Sequence, residues 1–256
     1  MSSLTFAVVV TYRAPEKLAV CLASLEGEAH PTAILVCDNS EDNIYYTAAI
    51  NEGIRTALER DYDYVLICCD DVTVHAGCVK ALSDYLDENP KCAIAAPVQL
   101  SKAGAVTCAG CREAFPYGVH ITGPDSLLTG EPYESYWANG ACFLLRAAAA
   151  RECGLLDENM RFICSDADYS LTLRSRGWSV FVVPPAKVTH EPDGALHRKN
   201  DTLTRIKLQD TQYFMQKWIL GGLFKRYSFE GEKLTPQQIV ACYEQTQAGL
   251  AQLPEE

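Results

Sequence analysis

The chain has 256 residues, of which 48% are hydrophobic and 21% are charged, so neither a disordered nor a fibrous protein is expected. Its 22 basic and 33 acidic residues give a net charge of −11, which is unfavourable for nucleic acid, because proteins that bind it carry a basic surface. We therefore expect no nucleic-acid partner, and a phosphate-bearing ligand needs a local device such as a metal ion.

The first hundred residues alternate short apolar runs, typical of buried strands, with segments of helical spacing. The predicted strands are Phe6–Val10, Ala33–Cys37, Tyr64–Cys69 and Cys92–Ala96, and the predicted helices are Pro15–Leu25, Tyr46–Leu58 and Val79–Leu86. This order indicates a parallel sheet with helices on both faces.

The second half of the chain has a weaker pattern. Frequent glycine and proline between Gly104 and Glu134 predict loops and short strands. The elements predicted after it are a strand at Ala141–Leu145, helices at Ala147–Cys153 and Ser165–Arg176, strands at Ser179–Val183 and Val188–His190, and a helical tail from Leu203. The composition of Asp193–Arg205 is typical either of a mobile loop that closes over a ligand or of a solvated basic turn.

Twelve cysteines, several of them inside apolar runs, indicate buried thiols in a reducing cytosol rather than a disulfide framework. The start, MSSLTFAVVVTYR, has no basic region before its short apolar run and does not resemble a secretory signal. No stretch approaches the roughly 18 apolar residues of a transmembrane helix. The sequence thus predicts a cytoplasmic protein without a transmembrane segment.

Polar residues follow three predicted strands, and ligands of open α/β sheets bind beyond the carboxyl ends of strands. These residues are Thr11, Tyr12, Asp38, Asp70 and Asp71. The adjacent carboxylates Asp70 and Asp71 suit a hard divalent cation whose coordination a substrate phosphate completes, although aspartate is also common in turns.

Two further positions are candidates for chemistry. At the start of a predicted helix, Ser165 and Asp168 can form a capping box, while Asp166 can act as a general base toward a hydroxyl. His190, which follows an apolar strand and Pro184-Pro185, is either an ordinary structural histidine or a metal ligand beside Asp71.

Several common site motifs are absent from the sequence. It has no Gly-rich dinucleotide or P-loop motif and no G-x-S-x-G elbow, so those three chemistries are disfavoured. A single C-x-x-C, Cys108 to Cys111, is typical of a redox pair or half of a zinc site. It lies in the loop-rich region without a second pair, which disfavours both chemistries, and the sequence leaves open whether the pair has any.

Five segments, in this order, resemble family 2 glycosyltransferases with the GT-A fold. They are VVVTYRAPEKLAVCLASL, VCDNSEDN, NEGIRTAL, YVLICCDDV and the stretch from NGACFLLR to VTHE. The last stretch, and the later YFMQKW, are similar to rhamnosyltransferase-type members. The resemblance implies an α/β GT-A fold, with a Rossmann-like, mostly parallel central sheet flanked by helices.

The resemblance also implies a domain organisation. A catalytic domain covers residues 1–200, with a nucleotide-binding half to about residue 100 and an acceptor-side half after it. Residues 201–256 form a helical extension packed on that domain, with an acceptor-side wall, a homodimer contact or a peripheral membrane contact as alternative roles.

By the same resemblance, Asp166 is the catalytic base and Asp71 holds Mn²⁺ or Mg²⁺, with His190 as a further contact to the metal or the diphosphate. The implied nucleotide-binding residues are Thr11, Tyr12, Arg13, Asp38, Asn51 and Asp70. The implied acceptor or diphosphate region comprises Trp137, Asn139, Gly140, Asp168, Arg198 and Lys199. The chain departs from the family's frequent Asp-x-Asp motif, because Cys69 stands at its first position.

The implied activity is inverting transfer of a sugar from a nucleotide-diphosphate donor, either a dTDP-deoxysugar such as rhamnose or a UDP-hexose. The implied acceptor is a hydroxyl of a glycan or a lipid-linked saccharide. A non-catalytic nucleotide-sugar-binding protein of the same fold is one alternative. A nucleotidyltransferase is another, although the loop TYRAPEK lacks the glycines that would grip a triphosphate.

Overall fold

The computed structural model describes residues 3–28, 31–114, 118–191, 201–220 and 236–253. The strands are β1 (Thr5–Thr11), β2 (Pro31–Asp38), β3 (Tyr64–Cys69), β4 (Val72–Val74), β5 (Cys92–Leu100), β6 (Val106–Cys108), β7 (Cys111–Arg112), β8 (Val119–His120), β9 (Tyr133–Glu134), β10 (Cys142–Arg146) and β11 (Ser179–His190). The helices are α1 (Pro15–Glu26), α2 (Tyr45–Glu59), α3 (Cys78–Glu88), α4 (Ala147–Cys153), α5 (Ser165–Ser175), α6 (Asp201–Phe214) and α7 (Pro236–Ala251).

Most of the strands belong to one central sheet, in the order β2-β1-β3-β10-β5-β11-β4. The pairs β1–β2, β1–β3 and β5–β11 are parallel, whereas β10 is antiparallel to both β3 and β5, and β4 is antiparallel to β11. The mostly parallel α/β sheet predicted from the sequence is therefore confirmed. The antiparallel insertion of β10 was not predicted, since it depends on contacts between distant segments.

The core lies on both faces of this sheet. In β1, Phe6, Val8 and Val10 face one apolar cluster with α2, α4 and α5, and Ala7 and Val9 face the other with α1 and α3. Each fully buried aliphatic side chain of this kind contributes roughly 1.5–3 kcal/mol. The layers on both faces hold the carboxyl ends of the strands in fixed positions.

Helix α2 packs unusually close to β1 at Gly53. A Cβ atom at this position would lie 2.3 Å from Val8 Cγ1, so only glycine permits the contact. This close packing explains the glycine of the NEGIRTAL segment in physical terms.

Three predictions about the second half are corrected. Strand β11 is continuous through Pro184 and Pro185, with a register shift between Val182 and Lys187 where the prolines lie, because proline removes ladder bonds while its backbone stays extended. Helix α6 already begins at Asp201, so the predicted loop does not reach Arg205, and residues 193–200 lie outside the described residues.

The third correction concerns the start of α5. Its first turn is not a capping box, because the N-cap is Cys164, in the left-handed region at φ 67°, and no side chain caps the helix. Ser165 is already helical.

The segment after α6 is a π-helical stretch, Met215–Leu220, that packs beside α5. Phe214, Met215 and Trp218 are buried in one cluster with Met160 and Cys164. The buried Asp210 carboxylate accepts three backbone N–H bonds, from residues 161, 162 and 163, at 2.8–3.1 Å. These contacts fix α6 to the loop that leads into α5.

None of the helices in the described ranges combines the length and apolar character that crossing a bilayer requires. All twelve cysteines are free thiols.

Candidate active site

The first part of the site is built where β1 and β3 end. Thr11 Oγ1 donates to Asp70 Oδ2 at 2.6 Å, and the Tyr12 N–H donates to the same oxygen at 3.3 Å. Burial raises the pKa of Asp70, the hydrogen bond from Thr11 opposes this, and the charge of Asp71 adds to it. Asp70 is thus held by the β1 end and oriented by it.

Next to this pair, the ends of β1 and β2 adjoin, with Thr11 opposite Asp38 in the register. Asp38 Oδ1 accepts the Ser40 N–H at 2.9 Å, and hydrogen bonds from Ser40 lower the pKa of this exposed carboxyl. Arg13 is bound to Ser40 through its backbone N–H, and its guanidinium lies 5.2 Å from the Tyr12 ring centroid. Tyr12 is 47% exposed, so its ring is accessible for stacking on the base of a nucleotide.

The second part contains Asp71 and His190, which the antiparallel pairing of β4 with the end of β11 brings together. His190 lies opposite Val72 in this pairing, and its Nε2 is 3.5 Å from Asp71 Oδ1. His190 Nδ1 is 3.0 Å from Gln99 Oε1, which orients the ring. A carboxylate and an oriented imidazole, both largely buried, form a donor set that fits Mn²⁺ or Mg²⁺ with water and phosphate oxygens completing it.

The third part is Asp166 in the first turn of α5. Its Oδ2 accepts the Gly140 N–H and its Oδ1 accepts the Ala167 N–H, both at 2.8 Å. Burial raises the pKa of Asp166, and these backbone bonds oppose the rise. A carboxyl whose pKa is raised holds a proton more readily than an ordinary aspartate, which suits it to act as a general base.

The segment 139–141 joins these parts. Gly140 O accepts the Tyr46 hydroxyl at 2.6 Å, and Ala141 O accepts the Cys69 N–H at the end of β3. Asn139 Oδ1 accepts Gln99 Nε2 at 3.0 Å, and Gln99 in turn contacts His190. Asp166, the β3 end and the Asp71–His190 pair therefore surround one short segment.

Gly140 is required here by space. A Cβ atom on it would lie 2.5 Å from the Tyr46 hydroxyl and 3.2 Å from Asp166 Oδ2.

Two of the predicted site residues are engaged elsewhere. The buried Asn51 amide bonds the backbone of Leu156 in both directions and also donates to Glu158. Asp168 is 1% exposed, and its carboxylate accepts Trp218 Nε1 at 2.6 Å and Lys217 Nζ at 3.0 Å. Asn51 ties α2 to the loop after α4, and Asp168 ties the tail to α5.

Three predicted residues of the acceptor or diphosphate region remain, of which the structure describes Trp137. Trp137 is 6% exposed, and its ring centroid lies 5.5 Å from that of His120. Arg198 and Lys199 lie outside the described residues.

The sequence profile described as "Glycosyltransferase like family 2" matches residues 7–208. The chain belongs to this glycosyltransferase family. No curated protein has significant sequence similarity to it.

Solved structures with a similar fold share little sequence with this family 2 chain. GalNAc-T7 with UDP, GalNAc and Mn²⁺ has a TM-score of 0.60 and 14% identity, over 97% of this chain and 55% of its own. The mannosyltransferase PcManGT from Pyrobaculum calidifontis, in complex with GDP-Man and Mn²⁺, has a TM-score of 0.55 and 13% identity. The match covers 98% of this chain and 71% of PcManGT. S. aureus TarS has a TM-score of 0.57 and 12% identity, and the match covers 95% of this chain and 49% of TarS.

This family 2 chain thus spans about half the length of GalNAc-T7 and of TarS. The likeness establishes the GT-A fold predicted from the sequence.

Sequence reasoning missed two residues that shape this glycosyltransferase fold at the site. Gln99 contacts both Asn139 and His190, and Tyr46 binds Gly140 O. Gln99 carried a signal, since it is a polar residue inside the buried strand β5, where only a bound partner offsets the cost of burial. Tyr46 carried none, because its partner is 94 residues away.

Proposed function

We propose that this chain is a metal-dependent inverting glycosyltransferase that moves a sugar from a nucleotide-diphosphate donor to a hydroxyl acceptor. The observation that carries this is the placement of Asp166, the β3 end with Asp70, and the Asp71–His190 pair around residues 139–141. A general base and a cation site on one sheet edge are the two parts that single-displacement sugar transfer needs.

The nucleotide would occupy the ends of β1 and β2. The exposed Tyr12 ring offers a stacking surface, and the exposed Asp38 carboxylate is an acceptor for a base N–H. Asp70, fixed by Thr11, lies between this region and Asp71 and suits the ribose side of the donor.

Asp71 and His190 would hold the cation, with Asp70 as its carboxylate neighbour. A bound Mn²⁺ or Mg²⁺ supplies charge neutralisation for the leaving diphosphate. The two similar structures that contain Mn²⁺ together with UDP or GDP-Man support this assignment.

Asp166 would take the proton of the acceptor hydroxyl. The acceptor oxygen then forms its bond to the anomeric carbon while the bond from that carbon to the diphosphate oxygen breaks, and one displacement gives inversion. The Gly140 and Ala167 N–H groups hold the carboxylate in place for this transfer.

For the donor we propose a dTDP-deoxysugar such as rhamnose, with a UDP-hexose as the alternative, and for the acceptor a glycan or lipid-linked saccharide. These assignments rest on the resemblance of the second half to rhamnosyltransferase-type members. They place the reaction in the cytoplasm, with the inner face of the membrane as the site of a lipid-linked acceptor.

The test is an assay of nucleoside diphosphate release from a panel of sugar nucleotides, with Mn²⁺ or with EDTA. We expect release from one donor class, its loss in EDTA, and a fall of about 10²–10⁴-fold in D166N, the typical share of a general base. Asp84→Asn on α3, whose carboxylate pairs with exposed Lys80, is the matched control and should keep full activity.

Binding without turnover in wild type and D166N alike would favour the non-catalytic alternative. Unchanged activity in D166N would show that Asp166 is not the base.

A further inference from the structure

A cluster of metal-binding side chains lies outside the proposed active site. The Sγ atoms of Cys108 and Cys111 and a ring nitrogen of His120 all lie within 4.8 Å of one another. Both cysteines are buried, at 3% and 2% exposure, whereas His120 is exposed. None of the roles assigned to the active site uses these three residues.

The backbone builds this cluster in two steps. Cys111 and His120 are directly opposed in the antiparallel pair of β7 and β8, so their side chains share one face. Cys108, at the end of β6, returns to Cys111 through a turn at Gly110, whose φ is +82°.

Only glycine fits this turn. A Cβ atom at Gly110 would lie 2.5 Å from Val182 Cγ2 and 2.9 Å from Ser135 Oγ, so both conformation and space exclude other residues. Ser135 Oγ also accepts the Cys111 N–H at 2.9 Å, which fixes the second cysteine. The backbone around both cysteines is therefore fixed by Gly110 and Ser135.

The three ligand types identify the metal class. Thiolate and imidazole are the usual ligands of Zn²⁺, and two thiolates bound tetrahedrally at about 2.3 Å stand roughly 3.8 Å apart, within the spread of this cluster. Among the described residues the cluster has three members, and the exposure of His120 leaves room for water as the fourth ligand.

Neighbouring residues also fix the position of the His120 ring. Its Nε2 lies 3.0 Å from Asn139 Nδ2, and Trp137 packs on the ring.

A redox role suits the pair less well. Burial, and then the neighbouring Cys108, raise the pKa of the Cys111 thiol, and a protonated thiol is a poor nucleophile. A bound cation reverses this, because a coordinating thiol is deprotonated by the metal.

We propose that Cys108, Cys111 and His120 form a zinc site that fixes the β6–β8 region beside Trp137 and Asn139. This site uses soft ligands and is chemically distinct from the carboxylate–histidine pair Asp71 and His190. Zinc binding here does not depend on glycosyl transfer, so the two proposals can fail separately.

The first test uses the full chain without a metal-affinity tag, loaded with Co²⁺ in place of zinc. Thiolate ligands give a sulfur-to-cobalt charge-transfer band in the near ultraviolet, which an oxygen and nitrogen site such as Asp71 with His190 does not give. We expect this band in wild type and in D71N, and its displacement by one equivalent of Zn²⁺.

The second test measures zinc affinity by competition with a chelating dye. Loss of a residue that only hydrogen-bonds a metal ligand typically weakens metal binding about 10–100-fold. We expect C108A, C111A and H120A each to weaken zinc binding by more than this, because each removes a ligand. Cys153→Ala and Cys242→Ala, single cysteines that are only partly buried, should leave it unchanged.

The proposal is overturned if wild type shows no charge-transfer band, or if zinc affinity is the same in C111A as in wild type. It is equally overturned if mass analysis without reductant finds Cys108 and Cys111 as a disulfide that persists in the presence of zinc. The wild-type cobalt spectrum keeps the test valid even where a cysteine variant fails to fold.

Discussion

Asp166 combines two opposed demands on one side chain. Burial disfavours its charged form, while two backbone N–H groups hold that form in place. The balance raises the pKa of the carboxyl above its usual value of about 3.9. An ionised group that the folded state disfavours costs stability at neutral pH and serves function instead.

Asp166→Asn should therefore remove activity without lowering the melting temperature. The sign follows from the raised pKa: ionised Asp166 destabilises the fold at neutral pH, and this cost shrinks as the pH falls below the folded-state pKa and is gone below the ordinary aspartate pKa of about 3.9. We expect the melting temperature of D166N at pH 7 to equal or exceed that of wild type. A drop of several degrees, measured by calorimetry, would mean that the carboxylate is structural.

The pH dependence of kcat/KM should show the same group. A base must be ionised to act, so activity should fall as the pH falls through the Asp166 pKa, with a midpoint above that of an ordinary aspartate. Because Asp70 also has a raised pKa, D70N serves as the comparison. The acidic limb should persist in D70N if Asp166 governs it, and its disappearance there would reassign the limb to Asp70.

At the scale of elements, the site depends on segments that approach one another more closely than side chains normally allow. Gly140 sits against Tyr46 of α2 and Asp166 of α5, and Gly53 sits against Val8 of β1. The tail is attached differently, through a buried carboxylate, Asp168, that meets Lys217 and Trp218.

Gly140→Ala should displace the Tyr46 hydroxyl and move the segment that holds Asp166. We expect a fall in kcat together with a loss of about 1–3 kcal/mol in stability, the usual cost of overpacking. Tyr46→Phe removes the nearest clashing atom, so the double variant should be more stable than the sum of the two single changes predicts. Strict additivity in denaturant unfolding would contradict the contact.

Lys217→Ala should weaken the attachment of the tail by leaving the Asp168 carboxylate buried without its cation. Lys217 is 29% exposed, so we expect a loss of about 2–3 kcal/mol, below the 3–5 of fully buried pairs. Lys80→Ala, in an ion pair exposed on both sides, should cost less than about 1 kcal/mol. Equal losses of unfolding free energy for the two variants, measured by urea titration, would show that the Lys217–Asp168 pair does not attach the tail more strongly than an exposed ion pair would.

At the scale of the whole molecule, local sequence patterns predicted where helices and strands lie along the chain. Contacts between distant segments determine the order of the strands in the sheet. Helix α4 has the bounds predicted from the sequence, and so does β3, because apolar runs and glycine stops are local signals. The place of β10 between β3 and β5 follows from pairing across some fifty to eighty residues, which periodicity does not encode.

The candidate site divides in the same way. The strand-end residues could be found because polar groups after apolar runs stand out. For His190 the sequence left two alternatives, a structural histidine and a metal ligand beside Asp71. Asn51 and Asp168 were predicted to contact the ligand, but their side chains bind other parts of the protein, Leu156 and Trp218. A sequence does not distinguish a buried amide or a first-turn carboxylate that binds a ligand from one that binds the protein itself.

A whole-molecule charge of −11 opposes the binding of a nucleoside diphosphate, and a cation at Asp71 and His190 would offset this repulsion. The most direct measurement is therefore a thermal-shift panel of UDP, dTDP, GDP and CDP, each with Mn²⁺ or with EDTA. A ligand at about 100 times its Kd stabilises by about 2.7 kcal/mol, which is several degrees for a chain of this size.

One nucleotide should stabilise wild type only with Mn²⁺, and D71N should lose this shift. Glu191→Gln, whose carboxylate pairs with Lys102 beside the same strand end, should retain it. No shift with any nucleotide, or a shift that is unchanged in EDTA and in D71N, would contradict the proposed metal-dependent nucleotide site.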